Sequence, residues 1–149
     1  NMKNLEYTTG DLISPWADVK FDVHNIPFND NSFDVVICNH VLEHVDNDKK
    51  VMKEFYRVMK PGGWGIFQVP IDRQSEQTKE DKSITDPKER ERLYWQSDHL
   101  RLYGLDYGKK LSAAGFKVTE SNFINEIDPK LVKKYALPKG EIVYFCEKK

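Results

Sequence analysis

The sequence has no long hydrophobic run and no excess of charge of either sign. No apolar stretch approaches the roughly 20 residues that a bilayer-spanning helix needs, and the polar start is unlike a signal peptide. The 149 residues include 23 Lys and Arg against 24 Asp and Glu, and the two signs are interspersed. These absences favour a cytoplasmic protein and indicate neither a nucleic-acid partner nor a membrane partner.

Cysteine is scarce as well. The only two cysteines, Cys38 and Cys146, lie in apolar runs, and neither has the CxxC or Cys/His spacing of a metal site. We therefore predict two buried, reduced thiols and no bound metal. With 149 residues the chain is long enough for one domain with a hydrophobic core but hardly for two, so we expect a single domain over residues 1–149.

Several short segments have the composition of β-strands. Residues 5–9 and 19–22 are brief extended stretches that end at or close to an aspartate, Asp11 and Asp22 respectively. Residues 33–38 form a nearly continuous apolar run, which is typical of a central parallel strand covered on both faces. The run predicts a central strand. The two strands before it each end at or near an aspartate.

Helical periodicity and helix-ending residues alternate with these strands. A helix is predicted from residue 47 to residue 60, with Asp46 or Asn47 as its cap and glycines after Pro61. The same signals predict further helices over residues 87–94, 104–114 and 128–136, and further strands over residues 64–69, 116–121 and 141–147. The alternation predicts an α/β fold with a doubly wound sheet, whose last two strands suit an antiparallel edge pair.

Ordered motifs between residues 22 and 70 resemble one known family. They are Asp22, Ile26-Pro27-Phe28, Phe33-Asp34-Val35-Val36, Leu42-Glu43-His44-Val45 and Lys60-Pro61-Gly62-Gly63. Each piece is weak alone, but this order and spacing are similar to those of the class I S-adenosylmethionine-dependent methyltransferases that act on small molecules. The resemblance implies a Rossmann-like sheet, S-adenosylmethionine as methyl donor, S-adenosylhomocysteine as product, and transfer to a small-molecule acceptor.

The resemblance also implies which residues hold the cofactor. Asp11 would accept hydrogen bonds from the ribose hydroxyls, and Asp22 from the adenine amine, beside the backbone of Val23. The complete expected cofactor set is Asp11, Leu12, Asp22, Val23, Asn39 and His40. Each aspartate has a simpler alternative as a turn or cap residue, and Asp11 also has an uncertain alignment to the family. His40 would face the acceptor and is a candidate catalytic residue.

The C-terminal half carries a second set of candidates. Residues 71–103 are longer than a crossover needs and are expected to form a lid or substrate insertion. His99 is a candidate base, and Arg101, Tyr103 and Trp95 are candidate substrate contacts, because acid-base, anion-binding and aromatic groups stand together here. The alternative is a hydrogen-bonded structural corner.

One family element is absent. The strand and glycine-rich loop that should precede these motifs are missing, because the only glycine before residue 60 is Gly10. An incomplete domain is therefore expected, without the family's first strand and helix. Either the strand of residues 5–9 moves beside residues 33–38, or a second copy of the chain covers the open edge as a homodimer. A catalytically impaired binding or interaction module is the alternative function.

Overall fold

The computed structural model describes residues 5–138 and 140–149 of the chain. The strands are β1 (Gly10–Asp11), β2 (Val19–Lys20), β3 (Phe33–Asn39), β4 (Met59–Gln68), β5 (Lys79–Glu80), β6 (Arg101–Leu102), β7 (Lys117–Ser121) and β8 (Val143–Glu147). The helices are α1 (Asp48–Val58), α2 (Pro87–Tyr94), α3 (Tyr107–Ala113) and α4 (Pro129–Lys134), and a short 3-10 turn spans Phe123–Glu126. None of the described helices has the length and apolar character needed to cross a membrane.

The main sheet has four strands in the order β3-β4-β8-β7. Strands β3 and β4 are parallel, whereas β8 runs antiparallel to both β4 and β7. The predicted antiparallel pair at the C-terminal edge is therefore confirmed. The fold is a Rossmann-like α/β arrangement, as the alternation of elements predicted.

Helix α1 forms where its sequence predicts and covers the core. The Asn47 side chain accepts a hydrogen bond from the backbone N–H of Lys50, which satisfies one free donor of the first turn. Val51, Met52 and Phe55 lie on one face and are buried. Together with Phe67 of β4 they form part of a continuous hydrophobic core.

The predicted strand over residues 5–9 is wrong, and so is its insertion beside β3. The described residues form strand β1 only at Gly10–Asp11, which pairs in parallel with β2 in a separate two-stranded sheet. The Asp18 carboxylate accepts hydrogen bonds from the N–H and hydroxyl of Thr9, each at 2.7 Å. Residues 18–21 thus pair with one edge of this segment, through Val19 N–H to the Thr9 carbonyl and Phe21 N–H to the Asp11 carbonyl, each at 3.1 Å.

Strand β3 is an edge strand, so its predicted central position is wrong for the described part of the chain. It pairs with β4 on one side, and no strand within residues 5–138 and 140–149 pairs with its other side. The predicted homodimer that would cover this edge remains a prediction, because the structure contains one chain.

Residues 71–103 are more ordered than a loop. Strands β5 and β6 pair antiparallel, and Ile71 bridges to Tyr103 in parallel. Helix α2 begins at Pro87 after the Asp86 cap and ends at Trp95, which adopts a left-handed conformation with φ 72°. The bounds of this helix match the prediction, whereas the role of the segment as a lid remains a prediction.

Both cysteines are free thiols, as predicted. Cys146 is buried and Cys38 is half-buried. Burial raises the pKa of each thiol to about 12. Both side chains are therefore protonated and unreactive near neutral pH.

Candidate functional site

A large cleft follows the unpaired side of β3. Its volume is about 660 Å³, which is within the usual range for small-molecule sites. Its lining comes from β1 and its neighbours, from residues of the 21–28 segment, from all of β3 except Asp34, from residues of the turn after β3 and from two α1 side chains. All six residues of the expected cofactor set line this single cleft: Asp11, Leu12, Asp22, Val23, Asn39 and His40.

The two aspartates at the cleft are turn residues that keep one oxygen free. Asp11 Oδ1 accepts the backbone N–H groups of Ile13 and Ser14, and Asp22 Oδ1 accepts the N–H of His24 and contacts its ring. These backbone hydrogen bonds lower the pKa of both carboxyl groups, so both are ionised at neutral pH. Neither Oδ2 is hydrogen bonded within the described residues. The turn role and a ligand role are therefore compatible.

The single early glycine has a packing reason. A Cβ atom at Gly10 would collide with the ring of Phe21, which itself lines the cleft. Because Gly10 has no side chain, the Phe21 ring packs directly against β1 and forms a continuous surface with it on this side of the cleft.

His40 lies at a sharp turn after β3. Its backbone is left-handed, with φ 56°, and its N–H donates to the Gln68 carbonyl at 2.9 Å. A left-handed backbone is uncommon outside glycine and is often found at functional sites. The side chain is 61% exposed and lines both the large cleft and a smaller cavity of about 200 Å³. His40 therefore connects the two spaces.

An ion pair on α1 holds the wall formed by residues 26–28. Glu54 accepts the backbone N–H of Ile26 at 2.9 Å, and Arg57 donates to the carbonyls of Ile26 and Phe28 at 2.8 Å. The hydrogen bond from Arg57 is the largest cause of the lowered pKa of Glu54. This pair was not predicted, although an acidic and a basic residue spaced i, i+3 on a predicted helix indicate an ion pair.

The C-terminal candidates do not join the large cleft. Arg101 and Tyr103 are buried at 1% and 0% exposure, and both donate to the Leu42 carbonyl. His99 is also buried, whereas Trp95 is 56% exposed. These contacts favour the structural corner that the sequence allowed as the alternative, with Arg101 and Tyr103 supporting residues 42–46 from behind the cleft.

Solved structures agree on the class of fold. The [4+2]-cyclase SpnF superposes with a TM-score of 0.58 and 19% identity, over 87% of this chain and 56% of its own. At this identity the likeness concerns the fold alone. The sheet and this likeness therefore define a Rossmann-like α/β fold.

Sequence relatives specify the family. The family described as "Methyltransferase domain" matches residues 5–67. An uncharacterized protein of Methanocaldococcus jannaschii is 31% identical over 83% of this chain and 60% of its own length. A demethylmenaquinone methyltransferase of a Geobacillus species is 54% identical over 39 residues, 26% of this chain and 17% of that protein. Over residues 5–67 the chain is therefore similar to methyltransferases. It spans less than two thirds of the length of these relatives.

Proposed function

We propose that the chain binds S-adenosylmethionine in the large cleft and contributes to transfer of its methyl group to a small-molecule acceptor. The observation that carries the proposal is that all six expected cofactor residues line one cleft of about 660 Å³. The sequence resemblance alone implies each of these residues. Their convergence supports a common ligand.

The residues present fit the cofactor. The free Oδ2 atoms of Asp11 and Asp22 would accept from the ribose hydroxyls and the adenine amine, and the half-buried Val23 offers an apolar edge. Asn39 and His40 would line the part of the cleft that holds the methionine portion of S-adenosylmethionine. When bound, the sulfonium supplies an already activated methyl group, so these residues have to orient the ligands and exclude water rather than form a covalent intermediate.

The smaller cavity is the proposed acceptor site. Its lining includes His40, Arg73 and Glu141, which supply a base, a cation and an acid around a space of about 200 Å³. His40 borders both spaces and is the proposed group that accepts a proton from the acceptor. Arg73 donates a hydrogen bond to the carbonyl of Gly140, which holds it at the rim.

Asp22 provides the direct test of the cofactor site. We expect Asp22→Asn to weaken S-adenosylhomocysteine binding about tenfold or more, because hydrogen bonds to a charged group contribute about 1.5–3 kcal/mol. Isothermal titration calorimetry would measure both affinities. The control is Asp34→Asn, since Asp34 is 80% exposed, pairs with Lys60 and does not line the cleft. Equal affinity in the two variants, or no binding by the unmodified chain, would contradict the proposal.

The unpaired side of β3 favours a second candidate, a binding or interaction module that forms a homodimer through this edge. Sedimentation equilibrium without cofactor separates the candidates. A concentration-dependent dimer with no S-adenosylhomocysteine binding would favour the module, whereas a monomer that binds S-adenosylhomocysteine would favour the enzyme.

A further inference from the structure

Glu43 is a buried carboxylate without a hydrogen-bond donor. Its residue is 1% exposed, and within residues 5–138 and 140–149 neither carboxylate oxygen accepts a hydrogen bond. The nearest cationic candidate, His40 Nδ1, is 3.3 Å from Oε1 but lacks hydrogen-bond geometry. A buried charge without a partner is costly, and proteins usually pair such a group or use it to coordinate a metal.

Two histidines stand beside this carboxylate. One potential ligand atom each from Glu43, His44 and His99 lie within 4.8 Å of one another. The two imidazole rings meet edge to face, with centroids 4.8 Å apart. Because metal bonds to nitrogen and oxygen are about 2 Å long, small side-chain rotations would bring the three atoms around one ion.

Each histidine already has an outer hydrogen-bond partner. His99 Nδ1 lies 2.7 Å from the Tyr94 carbonyl, which can only accept, so this nitrogen carries the proton. His44 Nδ1 lies 3.2 Å from the Asp98 carboxylate. Both contacts leave Nε2 with its lone pair for coordination. Metal-binding histidines commonly use such carbonyl and carboxylate partners to fix the ring and its tautomer.

The backbone holds the two ligand-bearing segments together. The N–H of Leu100 donates to the Glu43 carbonyl at 2.8 Å, which joins the residue after His99 to the residue before His44. The guanidinium of the next residue, Arg101 of β6, donates to the Leu42 carbonyl at 2.7 Å. The three candidate ligands are therefore positioned by the fold before any ion binds.

We propose that Glu43, His44 and His99 form a binding site for a divalent transition-metal ion, with zinc as the best match. One carboxylate and two imidazoles are a known zinc ligand set, which leaves a fourth position for water or substrate. His44 also lines the large cleft, so the site adjoins that space. The proposal is contrary to the prediction of no bound metal and does not depend on methyl transfer.

The test uses the untagged, chelator-treated chain and cobalt(II) as a spectroscopic probe. We expect one equivalent to bind with visible d–d absorption and without a near-ultraviolet thiolate band, and zinc to displace it. Glu43→Gln and His99→Gln should each lower the cobalt affinity at least tenfold. The control Glu126→Gln, an exposed glutamate on the 3-10 turn, should leave the affinity unchanged.

Asp98→Asn keeps the test decisive if a buried variant fails to fold. Asp98 is 63% exposed, so its replacement preserves the core, and loss of an outer partner typically lowers metal affinity about 10- to 100-fold. Circular dichroism would verify folding of each variant. Absence of stoichiometric cobalt binding, a thiolate band, or equal affinity in folded Glu43→Gln and unmodified protein would overturn the site. Since no cofactor is added, these outcomes are independent of S-adenosylhomocysteine binding.

Discussion

Replacement of Arg101 by methionine is expected to destabilise the protein by about 3–5 kcal/mol, because removal of one member of a buried charged network leaves its partners uncompensated. The Arg101 side chain is 1% exposed and donates to the Leu42 carbonyl at 2.7 Å and to Glu80 at 2.9 Å. It also donates to the Val45 and Asp46 carbonyls. Methionine retains most of the aliphatic stem but none of these hydrogen bonds. Urea unfolding followed by circular dichroism would measure the loss.

Arg92→Met is the matched control for this change. Arg92 is 66% exposed and pairs with Glu89 one turn away, so its loss should leave the free energy of unfolding nearly unchanged. Similar unfolding free energies for the two variants would show that Arg101 does not stabilise residues 42–46. A large loss for Arg101→Met alone would support its role as the clamp between β6 and the turn after β3.

Phe67→Ala is expected to lower the free energy of unfolding by about 3–5 kcal/mol through the cavity it creates. Phe67 lies on β4 with 0% exposure. The centroid of its ring lies 4.9 Å from that of Phe55, on which it stacks, and 5.2 Å from that of Phe116. Phe67 therefore joins α1 to the segment before β7. Guanidinium unfolding would measure the change.

The control for the core variant is Phe123→Ala, which makes the same chemical change at a ring that is 55% exposed. The expected loss there is less than about 1 kcal/mol, because the ring keeps much of its contact with water in the folded protein. Equal losses at both positions would mean that Phe67 does not organise the core.

The elements with strong local signals were predicted from the sequence. Helix α1 has an asparagine cap and a complete apolar stripe, and α2 has aspartate followed by proline at its start. Strand β3 and the second half of β4 are apolar runs, and their parallel pairing follows from the helix between them. The first half of β4, Met59 to Gly63, was not predicted as strand. In each case neighbouring residues alone determine the conformation.

Features that depend on distant partners could not be predicted in the same way. Strand β1 has two residues and exists because Asp18 and the following segment bind its backbone. Arg101 and Tyr103 look like ligand-binding groups in the sequence, yet both donate to the Leu42 carbonyl, 59 and 61 positions away, which no motif encodes. The six expected cofactor residues do line one cleft, because strand ends converge in an α/β sheet, and their role as cofactor ligands stays a prediction.

The unpaired edge of β3 also determines how its amides exchange with solvent deuterium. The N–H of His40 donates to Gln68 of β4, and strand geometry alternates with a period of two, so the amides of Val36 and Cys38 point the same way. The amides of Val35, Ile37 and Asn39 point into the cleft. Slow and fast exchange should therefore alternate along this one strand, and a ligand or chain that occupies the edge would slow only the fast set.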